Sequence, residues 1–287
     1  MHNGIKVLDS HQHIWELDRG DYGWLTPEFG ALYGSWTVDD VRGEADAAGV
    51  DEVVLVQAAG TLADTDYMLQ AADSWDKVVG IVAWAPLVDP SGLAEALERY
   101  GSDKRIVGLR HQNHDEPDPY WLVRGDVLAG IASVQKAGLT LDVVATIPEH
   151  LEAVARLAAD FPALPIVIDH LAKPDIKGGA WEPWAGLMAA AAAFPNVSAK
   201  FSGLDTTAEP NVYTAADIRP YLDHGLETFG ADRLMFGSDW PLSVLAGGYT
   251  RWWSAVVELV AELSRDEQTA IFGGTGRSFY GIGRLTS

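Results

Sequence analysis

Cysteine is absent from the 287 residues, so disulfides, thiolate metal sites and thiol nucleophiles are all excluded. Its absence leaves the cellular compartment open. Basic residues are scarce: 20 Lys and Arg stand against 41 Asp and Glu, a formal charge of −21. A chain so acidic is repelled by nucleic acid and by anionic membrane surfaces, and neither is expected as a partner. No run of about 18 apolar residues is present, so no transmembrane helix is expected. The opening MHNGIKVLDSHQ has neither an apolar h-region nor a small-residue cleavage site, and a cytoplasmic protein is the expectation. Fixed-period repeats, low-complexity tracts and linkers are also missing, which predicts one domain over residues 1–287.

What is present is an alternation. Eight short β-branched runs recur: IKVLDSH (5–11), EVVLVQA (52–58), VVGIVAW (78–84), RIVGLRH (105–111), LTLDVVA (139–145), PIVIDH (165–170), NVSAKFS (196–202) and RLMFGSD (233–239). Between them lie segments with helical spacing, such as LAEALERY (93–100), PEHLEAVARLAADF (148–161) and YTRWWSAVVELVAEL (249–263). Continuous Val/Ile/Leu runs mark strands buried on both faces, hence a parallel sheet under helices. Eight such units in a chain of this length predict an α/β fold, a (β/α)8 TIM barrel. The competing open doubly wound sheet wants a glycine-rich first turn, and here the first strand runs into HQHIWE.

Barrel chemistry sits at the C-terminal strand ends, so the residues that finish each run are the candidates. The first run ends in His11-Gln12-His13, whose i, i+2 spacing turns both imidazoles to one face. Gln57 ends the second, Trp84 the third, and Arg110-His111 the fourth, with His114 just beyond. Asp169-His170 closes the sixth with Lys173 following, Lys200 and Ser202 lie on the seventh, and Asp239-Trp240 closes the eighth. Five of the eight histidines fall at or just after strand ends, while His2, His150 and His224 do not. Singly, each has a structural explanation: His170 as a core residue, Asp239 as a turn cap, Arg110 as a rim ion pair, Lys200 as a partner for a nearby carboxylate. Jointly, the His pair, His170 and Asp239 converge on one pocket.

DSHQHIW, IDHLAKP and FGSDWP at the first, sixth and eighth strands resemble the amidohydrolase superfamily, and within it the branch of sugar lactonases. YGWLTPEFGALY (22–33), GLRHQNHDEPDPYWL (108–122), SAKFSGL (198–204) and IFGGTGRSFYGI (271–282) extend the likeness over nearly the whole chain. The resemblance implies a (β/α)8 barrel that opens an aldonolactone by water attack. Metal-dependent relatives carry a Lys or His on strand five, where LTLDVVAT offers only Asp142. A binuclear centre is therefore not expected. A single zinc on His11, His13 and Asp239 is workable, because three protein ligands plus water make a catalytic site. The branch resembled here implies that no metal is required.

Asp239 is the expected general base, with a carboxyl pKa raised by a dry barrel mouth. His11, His13 and His170 are expected to polarise the carbonyl and hold the water. Arg110, His111, His114 and Lys200 are expected to grip the product acid, Trp84 and Trp240 to wall the sugar ring, and Gln57 to donate hydrogen bonds. Two alternatives stay open: a mononuclear-zinc hydrolase or decarboxylase of the same superfamily, and a non-catalytic barrel that binds a sugar acid. The Trp-rich helix YTRWW fits a homo-oligomer interface and a helix-shell core equally well.

Overall fold

The structure is a computed structural model that describes residues 1–283. Among these residues eight strands form one sheet in sequence order, each parallel to the next. They are β1 (Val7–Gln12), β2 (Val50–Val56), β3 (Val78–Ala83), β4 (Ile106–His111), β5 (Thr140–Val143), β6 (Ile166–Ile168), β7 (Val197–Phe201) and β8 (Leu234–Phe236). All eight coincide with the expected runs. Helices α1 (Val38–Ala47), α2 (Leu62–Ser74), α3 (Pro90–Tyr100), α4 (Gly125–Lys136), α5 (Pro148–Asp160), α6 (Trp184–Ala192), α7 (Ala215–Phe229) and α8 (Tyr249–Val260) follow the strands or precede the next, with short α9 (Arg265–Thr269) and α10 (Thr275–Phe279) at the end. This is the (β/α)8 barrel. No helix among the described residues is long and apolar enough to cross a membrane.

Local chemistry explains the helix boundaries. Thr37 with Asp40 and Thr214 with Asp217 form capping boxes at α1 and α7. Pro90 and Pro148 occupy first-turn positions of α3 and α5, where a missing N–H costs nothing. On α5 the stripe His150, Leu151, Val154, Leu157 and Ala158 is buried against the barrel. His150 is thus a helix-face residue, as its position in the sequence suggests.

The ring closes through backbone just beyond β8. Asp239 N donates to the His11 carbonyl at 2.9 Å, and His13 N to the Trp240 carbonyl at 2.7 Å. Buried Asp9 ties the seam, accepting from Ser238 N at 2.8 Å, Gln12 Nε2 at 2.7 Å and Tyr249 Oη at 2.9 Å. Trp240 itself is fully buried, edge-on to Trp36 at 5.6 Å.

Inside the barrel the side chains lie in layers. Leu8, Val54, Val82, Val107, Val167 and Met235 pack with Tyr280, which comes from the segment after α10 and forms the floor. Above it lies a charged layer. Lys200 Nζ donates to Asp142 Oδ2 at 2.5 Å and stands 3.0 Å from Asp169 Oδ1, while Arg110 Nη1 donates to Asp169 Oδ2 at 3.0 Å. Tyr280 Oη donates to Asp142 Oδ2 at 2.7 Å. Two cations offset two carboxylates, so burying the layer leaves no net charge. Lys200→Met would leave one carboxylate without a cation, Asp142 keeping only the Tyr280 hydroxyl. It is expected to cost about 3–5 kcal/mol in urea-denaturation free energy, whereas a loss under about 1 kcal/mol would deny the layer its structural role.

Candidate active site

Leu8 lies in the barrel interior, and strict alternation from it would turn His11 outward. A register shift between Asp9 and Gln12 resets the pleat, and His11 and His13 both enter the barrel. His13 Nδ1 donates to the Val56 carbonyl at 2.8 Å, leaving Nε2 as the acceptor of a neutral ring. That nitrogen is 3.0 Å from His11 Nε2, and His11 Nδ1 faces Lys200 Nζ at 3.0 Å. Asp169 Oδ1 lies 3.3 Å from His11 Nδ1, and a ring that donates there turns an unprotonated Nε2 toward His13 and Asp239. Burial pushes both imidazoles down, His11 well below its ordinary value with Lys200 adding to the effect. Both rings are neutral at physiological pH.

The chain leaving β6 makes an unusual turn. His170, Leu171, Ala172 and Lys173 have φ of 55°, 46°, 60° and 46°, four successive left-handed residues without a glycine. Such a conformation costs roughly 1–2 kcal/mol per residue. It delivers His170, whose Nδ1 is 2.8 Å from Ser202 Oγ, and Lys173 to the same carboxylate, Asp239, itself at φ 55°. His170 Nε2 lies 3.7 Å from Asp239 Oδ1, and Lys173 Nζ lies 3.8 Å from Oδ2. Two glycines make room. A Cβ on Gly203 would stand 2.5 Å from Asp239 Oδ2, and one on Gly237 would stand 2.8 Å from His11 Cβ.

Asp239 departs from expectation. Burial does push its carboxyl up, as the dry-mouth argument holds, but His170, Lys173, His13 and His11 outweigh burial and keep it well below the usual carboxylate range. Burial drives His170 down to about 3, so the imidazole is neutral and Lys173 is the standing cation beside the carboxylate. Both Asp239 oxygens are nevertheless buried without a hydrogen-bond donor. An ionised, undonated carboxylate is costly unless a ligand completes it.

A cavity of about 410 Å³ opens above this group. His13, His170, Asp239, Arg110 and His114 line it, as expected from their strand ends. Other expected contacts lie elsewhere. Lys200 is sealed beneath His11, in the charged layer. Gln57 braces Arg110, its carbonyl accepting from Nη2 at 2.5 Å and its Nε2 donating to the Arg110 carbonyl at 3.4 Å, and it does not line the cavity. His111 turns away, stacked on Trp121 at 3.9 Å and bonded to Glu116 at 2.7 Å, with Trp84 Nε1 on its other nitrogen at 3.4 Å. Neither Trp84 nor Trp240 is a cavity wall; the aromatic wall is Trp24 and Phe29, which meet edge to face at 5.6 Å. Both belong to YGWLTPEFGALY, whose four aromatic residues were the available signal.

Lys173 also lines the cavity. Asp205, a residue with no sequence signal, is buried nearby with neither oxygen hydrogen-bonded, and burial and the charge of Asp239 push its carboxyl up to about 7.

One potential ligand atom each from His11, His170 and Asp239 lies within 4.8 Å of the others. His13 Nε2 is 3.6 Å from Asp239 Oδ1, so the expected trio of His11, His13 and Asp239 is drawn together with His170 beside it. Neutral imidazoles and an ionised carboxylate lacking donors are the protonation states a metal requires. The donor set fits a single zinc ion.

Similarity to known proteins agrees with this arrangement. A family profile described as Amidohydrolase matches residues 8–282. A Burkholderia ambifaria protein named L-fucono-1,5-lactonase is 34% identical over 281 residues, covering 96% of both chains. A Burkholderia multivorans protein of the same name is 33% identical over 291 residues, covering 97% of both. The crystal structure of a B. multivorans amidohydrolase with bound zinc superposes with a TM-score of 0.90 at 31% identity, over 96% of this chain and 99% of that one. With a family profile matched over residues 8–282 and relatives 33–34% identical over nearly the whole length, the chain belongs to the amidohydrolase family.

Proposed function

We propose that the chain hydrolyses a sugar-acid lactone, most directly a six-membered 1,5-lactone, with Asp239 as general base. The observation that carries this reading is the Asp239 carboxylate, buried without a donor beneath a cavity with Arg110 and Lys173 on one side and apolar rings on the other. Relatives named L-fucono-1,5-lactonase, similar over nearly the full length, support the substrate class.

The residues divide the work as follows. Asp239 accepts a proton from the attacking water, and its freedom from donors leaves its lone pairs available for that. A depressed pKa makes it a weaker base, offset by a permanently ionised state at neutral pH. His170, with Nδ1 engaged by Ser202, turns Nε2 toward the reacting centre and helps His13 orient the carbonyl and the water. Arg110, fixed by Asp169 and the Gln57 carbonyl, and His114 attract the carboxylate of the product acid. Trp24 and Phe29 give the ring a flat apolar surface. A zinc ion on His11, His170 and Asp239 would, when bound, supply Lewis acidity to the carbonyl and acidify water. An ester carbonyl is reactive enough that the reading proposed here does not require that ion. The zinc-bound relative favours the second reading, a mononuclear-zinc hydrolase on the same residues.

Acid release by chelator-treated protein over a panel of five- and six-membered aldonolactones separates the two. Retained turnover is expected. Loss on chelation with recovery on added Zn²⁺ would favour the zinc enzyme, and product binding with no turnover in either state would leave the non-catalytic barrel. Asp239→Asn is expected to lower kcat by roughly 100- to 10,000-fold in a protein that still folds. A near-wild-type rate in that variant would remove Asp239 from the base role.

A further inference from the structure

Lys173 has no part in the chemistry above, yet the strained turn after β6 brings it to the reacting carboxylate. Its ammonium carries three N–H donors. The one hydrogen bond found for it is a long one to Thr206 Oγ1 at 3.5 Å. Asp239 Oδ2, at 3.8 Å, is beyond hydrogen-bond range. A lysine serving only as counter-ion would close on its carboxylate to roughly 2.7–2.9 Å. Here a gap stays open, and the side chain lines the cavity. The two Asp239 oxygens face different surroundings: Oδ1 looks toward His11, His13 and His170 at 3.6–3.7 Å, and Oδ2 toward Lys173.

We propose that Lys173 is a catalytic residue whose ammonium hydrogen-bonds the ring oxygen of the lactone as that oxygen leaves. The assignment rests on the lactonase reading. Water oxygen bonds to the carbonyl carbon while its proton passes to Asp239, and the bond from carbon to ring oxygen then breaks. Lys173 stabilises the alkoxide at the Oδ2 edge until Asp239 hands it the same proton. The product is the hydroxy acid, and both residues return to their starting states. One carboxylate serves both proton transfers without swinging, because the leaving oxygen is held on the side opposite the imidazoles. The geometry also accounts for four left-handed residues in a row: residues 170 and 173 must reach the two oxygens of one carboxylate.

The test uses the full-length protein and the best lactone of the panel. Lys173→Met is expected to lower kcat by roughly 100- to 1,000-fold, the cost of losing one preorganised donor, with KM within about threefold. The kinetic isotope effect from ¹⁸O in the ring position should be larger in the variant than in wild type, because departure of that oxygen becomes slower. Lys173→Arg, which keeps the charge, should fall between the two and serves as the readout if the methionine variant does not fold. A loss below about tenfold, a loss confined to KM, or an unchanged isotope effect would overturn the assignment. Wild-type protein that opens no lactone would instead sink the lactonase reading beneath it.

Discussion

Two carboxylates and two cations buried in the middle of the barrel are the constraint on which the rest depends. Asp142, Asp169, Lys200 and Arg110 come from four successive positions of the ring, β5, the end of β6, β7 and β4. None of them can be buried alone without a penalty of several kcal/mol. Together they are neutral, and their geometry sets what stands above. Lys200 and Asp169 both meet His11 Nδ1 from below, and Asp169 holds Arg110 at the cavity wall.

Stability and function pull against each other at the ends of β6 and β8. Left-handed backbone at residues 170–173 and at Asp239 is held by packing that a freer loop would not need. Trp184 Nε1 donates to the Leu171 carbonyl at 2.7 Å, and Leu171 is itself fully buried. The turn is thus braced from the helix shell, and its polar ends are free to face the cavity.

The barrel was legible in the sequence because eight β-branched runs, each needing cover on both faces, admit few other folds. The candidate site was legible for the same reason: His11, His13, His170 and Asp239 stand at strand ends, and topology carries strand ends to one mouth. What was not legible depends on direction rather than position. Lys200 and Gln57 sit where expected along the chain, but one points to the layer below and the other to Arg110. His111 follows Arg110 immediately and so faces the other way, into Trp121. Trp240 looks like a wall in the sequence and is instead the seam residue of the closing strand. The true wall, Trp24 and Phe29, comes from a long excursion after β1 that has no periodicity to place it. The sign of the Asp239 shift was missed because burial was weighed without the cation beside it.

Tyr280 has a consequence in time rather than in space. It stands late in the chain, yet its ring closes the bottom of the barrel and its hydroxyl satisfies Asp142, which lies in the middle of the sequence. During synthesis the strands emerge in order and each can pair with the one before it. The charged layer, however, lacks one of its donors until Tyr280 has been made. The histidines at the mouth rest on that layer, so their support is complete only once the segment carrying Tyr280 has docked.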